Sequence, residues 1–191
     1  MSFFKDRAGS FELTSVKNLP NAHVAYPGER WTNRTASGEI LPGEPVMPIA
    51  SGSSPTAVMT MRKAEAADGI DQIALATRVI DIPDPNMGPN SLGPNEVRNQ
   101  PILSGEWIMA HYSGVFILTL VVPDTYTPGE LIGWNPNGTR PTGKAAGKGA
   151  WCKNANATVA KGLFEVERWQ EVNSTTHEGI LTVRFLGRTQ N

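Results

Sequence analysis

Across residues 180–186, Leu181, Val183 and Phe185 alternate with Thr182 and Arg184, a period of two that predicts a strand with one buried face. In residues 163–172, Glu165, Glu167 and Glu171 share one parity. The two stretches together predict a C-terminal hairpin over residues 162–187, acidic outside and apolar inside. Upstream, residues 45–49, 57–62 and 72–82 read as strands, the last with Ile73, Leu75, Val79 and Ile80 interleaved with Ala and Thr. Residues 106–111 give another, followed by a tight reversal at Ser113-Gly114. Residues 115–122 are apolar on both faces, which predicts a central strand or one covered on both sides. Residues 131–134 follow, and Lys63 to Asp68 can make one helical turn ended by Gly69, too short to stand alone.

What separates these runs is as regular as the runs themselves. Pro27-Gly28-Glu29, Ser37-Gly38-Glu39, Pro42-Gly43-Glu44, Ser104-Gly105-Glu106 and Pro128-Gly129-Glu130 each place a turn residue before Gly-Glu and an apolar run behind it. Pro sets φ for the second turn position and Gly takes the positive φ of the third, so each reads as a turn feeding a strand. Residues 83–101 carry five prolines among Asn and Gly, which neither a ladder nor a helix tolerates, and read as a long loop lying on a neighbouring surface. Residues 135–149 read as a second Gly/Pro/Lys loop. Residues 1–38 lack either periodicity but carry Phe3, Phe4, Phe11, Tyr26 and Trp31, and read as an extended arm whose aromatics anchor in another molecule's pockets. The expectation is an all-β chain: an arm over residues 1–38 and a body over residues 39–191, a small antiparallel β-barrel, β-tulip or sandwich.

Composition narrows the function. The 191 residues carry a formal net charge of -1, and charged residues make up 18% against about 25% in ordinary domains. Without a basic excess, sequence-independent nucleic-acid binding is not expected. The longest apolar run, residues 115–122, is far short of the roughly 20 residues that span a bilayer, and residues 1–6 lack a signal-peptide core, which predicts folding in the cytosol. The one cysteine, Cys152, excludes an intramolecular disulfide.

Gly138 to Lys144 satisfies G-x-x-x-x-G-K, but Ala145 stands where a Mg²⁺-binding hydroxyl belongs, Gly147 and Gly149 oppose a helix, and Asn135-Pro136-Asn137 is no hydrophobic strand. It reads as a basic loop with Arg140, Lys144 and Lys148 facing solvent or an acidic neighbour. His23, His111 and His177 lack metal-ligand spacing, so no metal is expected. His111, Ser113 and Asp124 allow a Ser-His-Asp arrangement on paper, without a nucleophile elbow. Asp81, Asp84 and Asn86 read as turn formers, and the Asn-x-Thr triplets at Asn33, Asn137, Asn156 and Asn173 as polar turn and edge positions. Trp31, Trp107, Trp134, Trp151 and Trp169 suit core or interface packing better than ligand stacking. No catalytic residue and no cofactor is expected.

Gly43-Glu44-Pro45-Val46, Ala74-Leu75-Ala76, Ser113-Gly114-Val115-Phe116 and Gly129-Glu130-Leu131-Ile132-Gly133-Trp134 together give residues 39–135 the look of another group of proteins. The chain resembles the head decoration, or cement, proteins of tailed bacteriophages. The resemblance implies a small β-barrel or β-tulip on the outside of an icosahedral capsid, as dimers or trimers, with arms over major capsid subunits, made in the host cytoplasm and carried on the virion. It implies no catalytic residues. The anchors expected are Phe3, Phe4, Phe11, Tyr26 and Trp31, with Met87 and Leu92 in the long loop. The alternatives are a carbohydrate- or receptor-binding module of a phage spike or fibre, using the tryptophans as platforms, and an enzyme with His111 beside a carboxylate.

Overall fold

The computed structural model describes residues 22–24, 29–32, 39–50, 59–78, 100–142 and 147–186. These form an all-β protein of strands β1 (Ala22–Val24), β2 (Glu29–Thr32), β3 (Glu39–Ile40), β4 (Pro45–Ala50), β5 (Met59–Lys63), β6 (Ala74–Arg78), β7 (Ile102–Leu103), β8 (Trp107–His111), β9 (Val115–Leu118), β10 (Leu131–Thr139), β11 (Lys148–Lys153), β12 (Val159–Asn173) and β13 (Glu178–Phe185). Among the described residues the only helical pieces are single 3-10 turns at Ile70–Gln72 and Asn154–Asn156. Lys63 to Asp68 forms no helical turn. Arg62 instead grips Asp68 with two hydrogen bonds of 2.8 and 2.6 Å, and Asp68 accepts the Glu65 N–H, so the segment is held as a turn.

A large sheet runs in the order β1-β9-β13-β12-β10-β11 and a second in the order β2-β8-β6-β4-β5, while β3 and β7 make a two-stranded ribbon. All ladders are antiparallel. The large sheet curls back on itself. Beyond β9 the chain runs parallel to β11 through a bridge between Val121 and Trp151, with Val122 N–H donating to Trp151 C=O and Trp151 N–H to Leu120 C=O. The apolar run at 115–122 is thus used twice, first between β1 and β13 and then as the strip that closes the curl.

Ser113-Gly114 is a corner and not a reversal. β8 and β9 do not pair with each other; β8 lies between β2 and β6 in the second sheet, β9 between β1 and β13 in the large one. Gly114, at φ +121°, accepts the Phe185 N–H and lets the chain bend from one sheet into the other. Of residues 22–32, expected as part of an extended arm, β1 pairs with β9 in the large sheet and β2 with β8 in the second, each as an outermost strand.

The core has two compartments, set by strand parity. Leu75, with Ile73, joins Phe116, Leu118, Trp151, Phe164 and Leu181 inside the curled sheet. Ala74 and Ala76 face the other way and meet Ile40, Val46, Met61, Ile102 and Ile108 under the ribbon. Successive side chains of a strand point to opposite faces, so β6 is buried on both, and its small alanines let the ribbon approach. In the larger compartment the rings of Trp134 and Trp151, Trp151 and Phe164, and Phe164 and Phe185 meet edge to face at 5.4, 4.9 and 5.2 Å. Such contacts each add about 0.5–1.5 kcal/mol beyond area burial.

The C-terminal hairpin forms as β12 and β13, with β12 beginning earlier, at Val159. Residues 135–149 depart from the expected loop. β10 continues to Thr139, and β11 starts at Lys148, with a register shift between Asn135 and Thr139.

Candidate interaction site

Of the residues expected to anchor a partner, Phe3, Phe4, Phe11, Tyr26, Met87 and Leu92 lie outside the described residues, as does the loop 83–101 apart from its last two residues. Trp31 is in β2, its backbone opposite Ile108. β1 and β2 thus pair with the strands on either side of the sheet corner.

Three of the Gly-Glu turns share one construction. In Leu41-Pro42-Gly43-Glu44, Leu103-Ser104-Gly105-Glu106 and Thr127-Pro128-Gly129-Glu130, the glycine φ is +91°, +89° and +85°. In each, the Glu N–H donates to the carbonyl three residues back, at 3.0, 3.0 and 3.1 Å. The Glu carboxylate also accepts the N–H of that same residue, at 3.0, 2.9 and 3.2 Å. One glutamate thereby satisfies both backbone groups at the turn's entry, so glutamate is chosen for its carboxylate as much as for its polarity.

At Glu44 the motif is carried into the interior. Glu44 is 4% exposed. Its Oε2 lies 3.1 Å from Lys63 Nζ and its Oε1 3.7 Å from the Arg140 guanidinium, whose side chain is only 8% exposed. Arg140 further donates to the carbonyls of Gly149, at 2.9 Å, and Lys148. Burial pushes the Arg140 pKa down, and the adjoining Glu44 charge offsets only part of that. The same turn accepts a third long-range contact: Trp151 Nε1–H donates to Gly43 C=O at 2.7 Å. Sheet β2-β8-β6-β4-β5 and the curled sheet are thus tied together by side chains converging on Gly43 and Glu44.

Beside this tie runs a cleft of about 120 Å³. Glu44, Pro45, Lys63 and Ala64 line it from the second sheet; Trp134, Pro136, Lys148 and Gly149 line it from the curled one. Gly149, at φ +107°, is required here, because a Cβ would stand 2.8 Å from the Trp134 ring. With Lys63 and Lys148 at its walls, Arg140 behind it and one carboxylate already engaged, the cleft is a positively charged recess with apolar sides.

The other candidate chemistry resolves into structure. Arg140, read as facing solvent or an acidic neighbour, turns inward to Glu44 of its own chain, where its guanidinium finds an anion and two carbonyls. His111 is 5% exposed, and its Nε2 shares a 2.7 Å hydrogen bond with Thr77 Oγ1 while its ring meets Phe116 edge-on. Burial pushes its pKa down to about 4, so it is neutral at pH 7. Asp124 lies 3.2 Å from Lys153, not at His111. Burial pushes the Cys152 thiol up to about 11, away from nucleophilic use. Of the tryptophans, Trp134 and Trp151 are buried and Trp169 packs against Tyr126 at 5.2 Å, whereas Trp107 is 50% exposed. Among the described residues no group of three or more His, Cys, Asp or Glu could hold a metal ion, and no helix is long and apolar enough to cross a membrane.

Neither the glutamate-closed turn nor the Glu44 tie was found by reading the sequence, although the fivefold Gly-Glu recurrence was the signal for the first. No family model, no curated protein and no solved structure matches this chain.

Proposed function

We propose that this chain is a non-enzymatic structural protein of a virus particle: a capsid cement protein of the tailed-bacteriophage type, which binds the outside of the head and bridges neighbouring major capsid subunits, as a dimer or trimer. The observation that carries this reading is the pairing of β1 and β2. β1 is an edge strand of the large sheet and β2 an edge strand of the second, so an arm formed by the aromatic-bearing residues before them would be anchored to the body by backbone pairing. A tether held in register spends less conformational entropy on reaching a fixed neighbour, and arm and body engaged together gain avidity from modest contacts repeated over a lattice. The low surface charge suits a protein packed among many copies of a shell subunit.

The spike or fibre alternative asked several tryptophans to act as platforms. Of the tryptophan side chains described, Trp107 is the most exposed, at half its surface, while Trp134 and Trp151 are buried. Removal of residues 1–21, which leaves β1 and β2 in place, tests the proposal. The shortened chain is expected to keep its unfolding temperature and to stop co-sedimenting with purified undecorated heads. Undiminished occupancy on the heads overturns the arm as anchor, and failure of the full chain to bind any head overturns the cement function.

A further inference from the structure

The cleft beside Glu44 combines cationic residues with apolar walls. Its volume of about 120 Å³ equals roughly four water molecules at their share of the liquid, enough for one short side chain. Its floor carboxylate is spent: Glu44 accepts the Leu41 N–H and pairs with Lys63 and Arg140. A cationic ligand therefore finds no unused anion there and meets Lys63 and Lys148, with Arg140 behind them.

An anion finds the reverse. The Lys63 ammonium has three N–H donors and is 42% exposed, so it can serve Glu44 and a second oxygen together. Lys148 lines the opposite wall with an exposed side chain, and only its backbone carbonyl is engaged by Arg140. Between them, Pro45, Pro136 and the Trp134 ring offer apolar surface to a short aliphatic stem. Partial enclosure lowers the local dielectric and strengthens the attraction between a bound carboxylate and these ammonium groups.

We propose that this cleft is a docking pocket for an acidic side chain, aspartate or glutamate, projected by a partner protein. Lys63 and Lys148 receive the carboxylate, and Trp134, Pro45 and Pro136 flank its methylene stem. The proposal stands apart from the cement reading, which rests on the leading segment and not on the body.

The test is a titration of the full-length chain with N-acetyl-glutamate N-methylamide, its glutamine counterpart and inorganic phosphate, followed by NMR at the Trp134 indole N–H and the Gly149 amide. The glutamate probe is expected to give saturable shifts at both positions, with at least tenfold higher affinity than the glutamine probe and higher affinity than phosphate. Lys148→Glu is expected to weaken the glutamate probe at least tenfold, and Lys161→Glu, on β12 outside the cleft, to leave it unchanged. Lys148→Ala, expected to weaken it three- to fivefold, serves if the charge reversal impairs folding. Equal affinity for the glutamate and glutamine probes, no saturable shift, tighter binding of phosphate, or indifference to both Lys148 variants each overturns the assignment.

Discussion

The two sheets meet at two junctions built of different material. At Tyr112–Gly114 the junction is backbone: the chain passes from β8 in the second sheet to β9 in the large one, and β2 and β1 pair with those strands in register. At Pro42–Glu44 it is side chain: the Trp151 indole N–H and the Arg140 guanidinium reach from the curled sheet to one turn of the second, where Lys63 of β5 also pairs with Glu44, and no ladder crosses between β5 and β11. Backbone pairing seals a seam along its length, whereas side chains pin it at points and leave room between them. The cleft lies at the second junction because only there can the sheets part without breaking a ladder.

Trp151→Ala strikes the side-chain junction hardest. It removes a fully buried ring and leaves the Gly43 carbonyl without its donor, and about 4 kcal/mol of stability is expected to go, measured by urea denaturation. Glu44→Gln keeps an oxygen for the Leu41 N–H but strips the anion from the buried Arg140, and is expected to cost about 3 kcal/mol in the same assay. A loss below about 1 kcal/mol would mean that the ion pairs contribute little and that the indole alone pins the seam.

The backbone junction is probed by acid and by geometry. His111 ends β8 at the corner and has its pKa depressed from 6.5 to about 4 by burial. A depressed histidine contributes stability that is fully present above pH 6.5 and lost as the pH falls toward 4 and the unfolded state takes up the proton first. The expected loss is on the order of 2–3 kcal/mol, seen as a falling urea midpoint over that window and flattened in His111→Asn. Gly114→Ala forces a side chain onto φ +121° and is expected to cost about 2 kcal/mol by thermal unfolding. The smallest effect is the sharpest control. Glu130→Gln changes the same turn motif at the surface, where no cation has been buried against it, and is expected to cost about 0.5 kcal/mol or less. Equal losses at Glu44 and Glu130 would erase the distinction between a turn that closes itself and a turn that closes the protein.

Local pattern made much of this fold legible. Strict alternation located β13 and most of β12, and the apolar-on-both-faces run located β9 and its closing continuation. Pro136 and Gly138 hid the rest of β10, because residues that break a regular ladder are tolerated in a bulge. The shift between Asn135 and Thr139 supplies that bulge, with Asn137 N–H donating to Asn135 Oδ1 at 2.9 Å. The corner was misread for a related reason: Ser-Gly bends a chain in either case, and whether the flanking strands then pair with each other is settled by distant partners. The turns could be read from Gly-Glu, and their closing hydrogen bonds are as local as the motif. The Glu44 tie could not, since Lys63, Arg140 and Trp151 come from three separate parts of the chain. The leading segment shows no alternation because each of its strands is only three or four residues long.

The hydrogen bond from Trp151 to Gly43 spans 108 residues. At synthesis rates of roughly 5–20 residues per second, Gly43 waits about 5–20 seconds for its partner to leave the ribosome. Topologies dominated by distant pairings fold in milliseconds to seconds, so translation and not conformational search sets when the molecule closes. Since β13 lies between β9 and β12, the curled sheet cannot be completed until its last strand is made, and a nascent chain that stalls before residue 178 leaves two apolar faces exposed to the holdases of the cell.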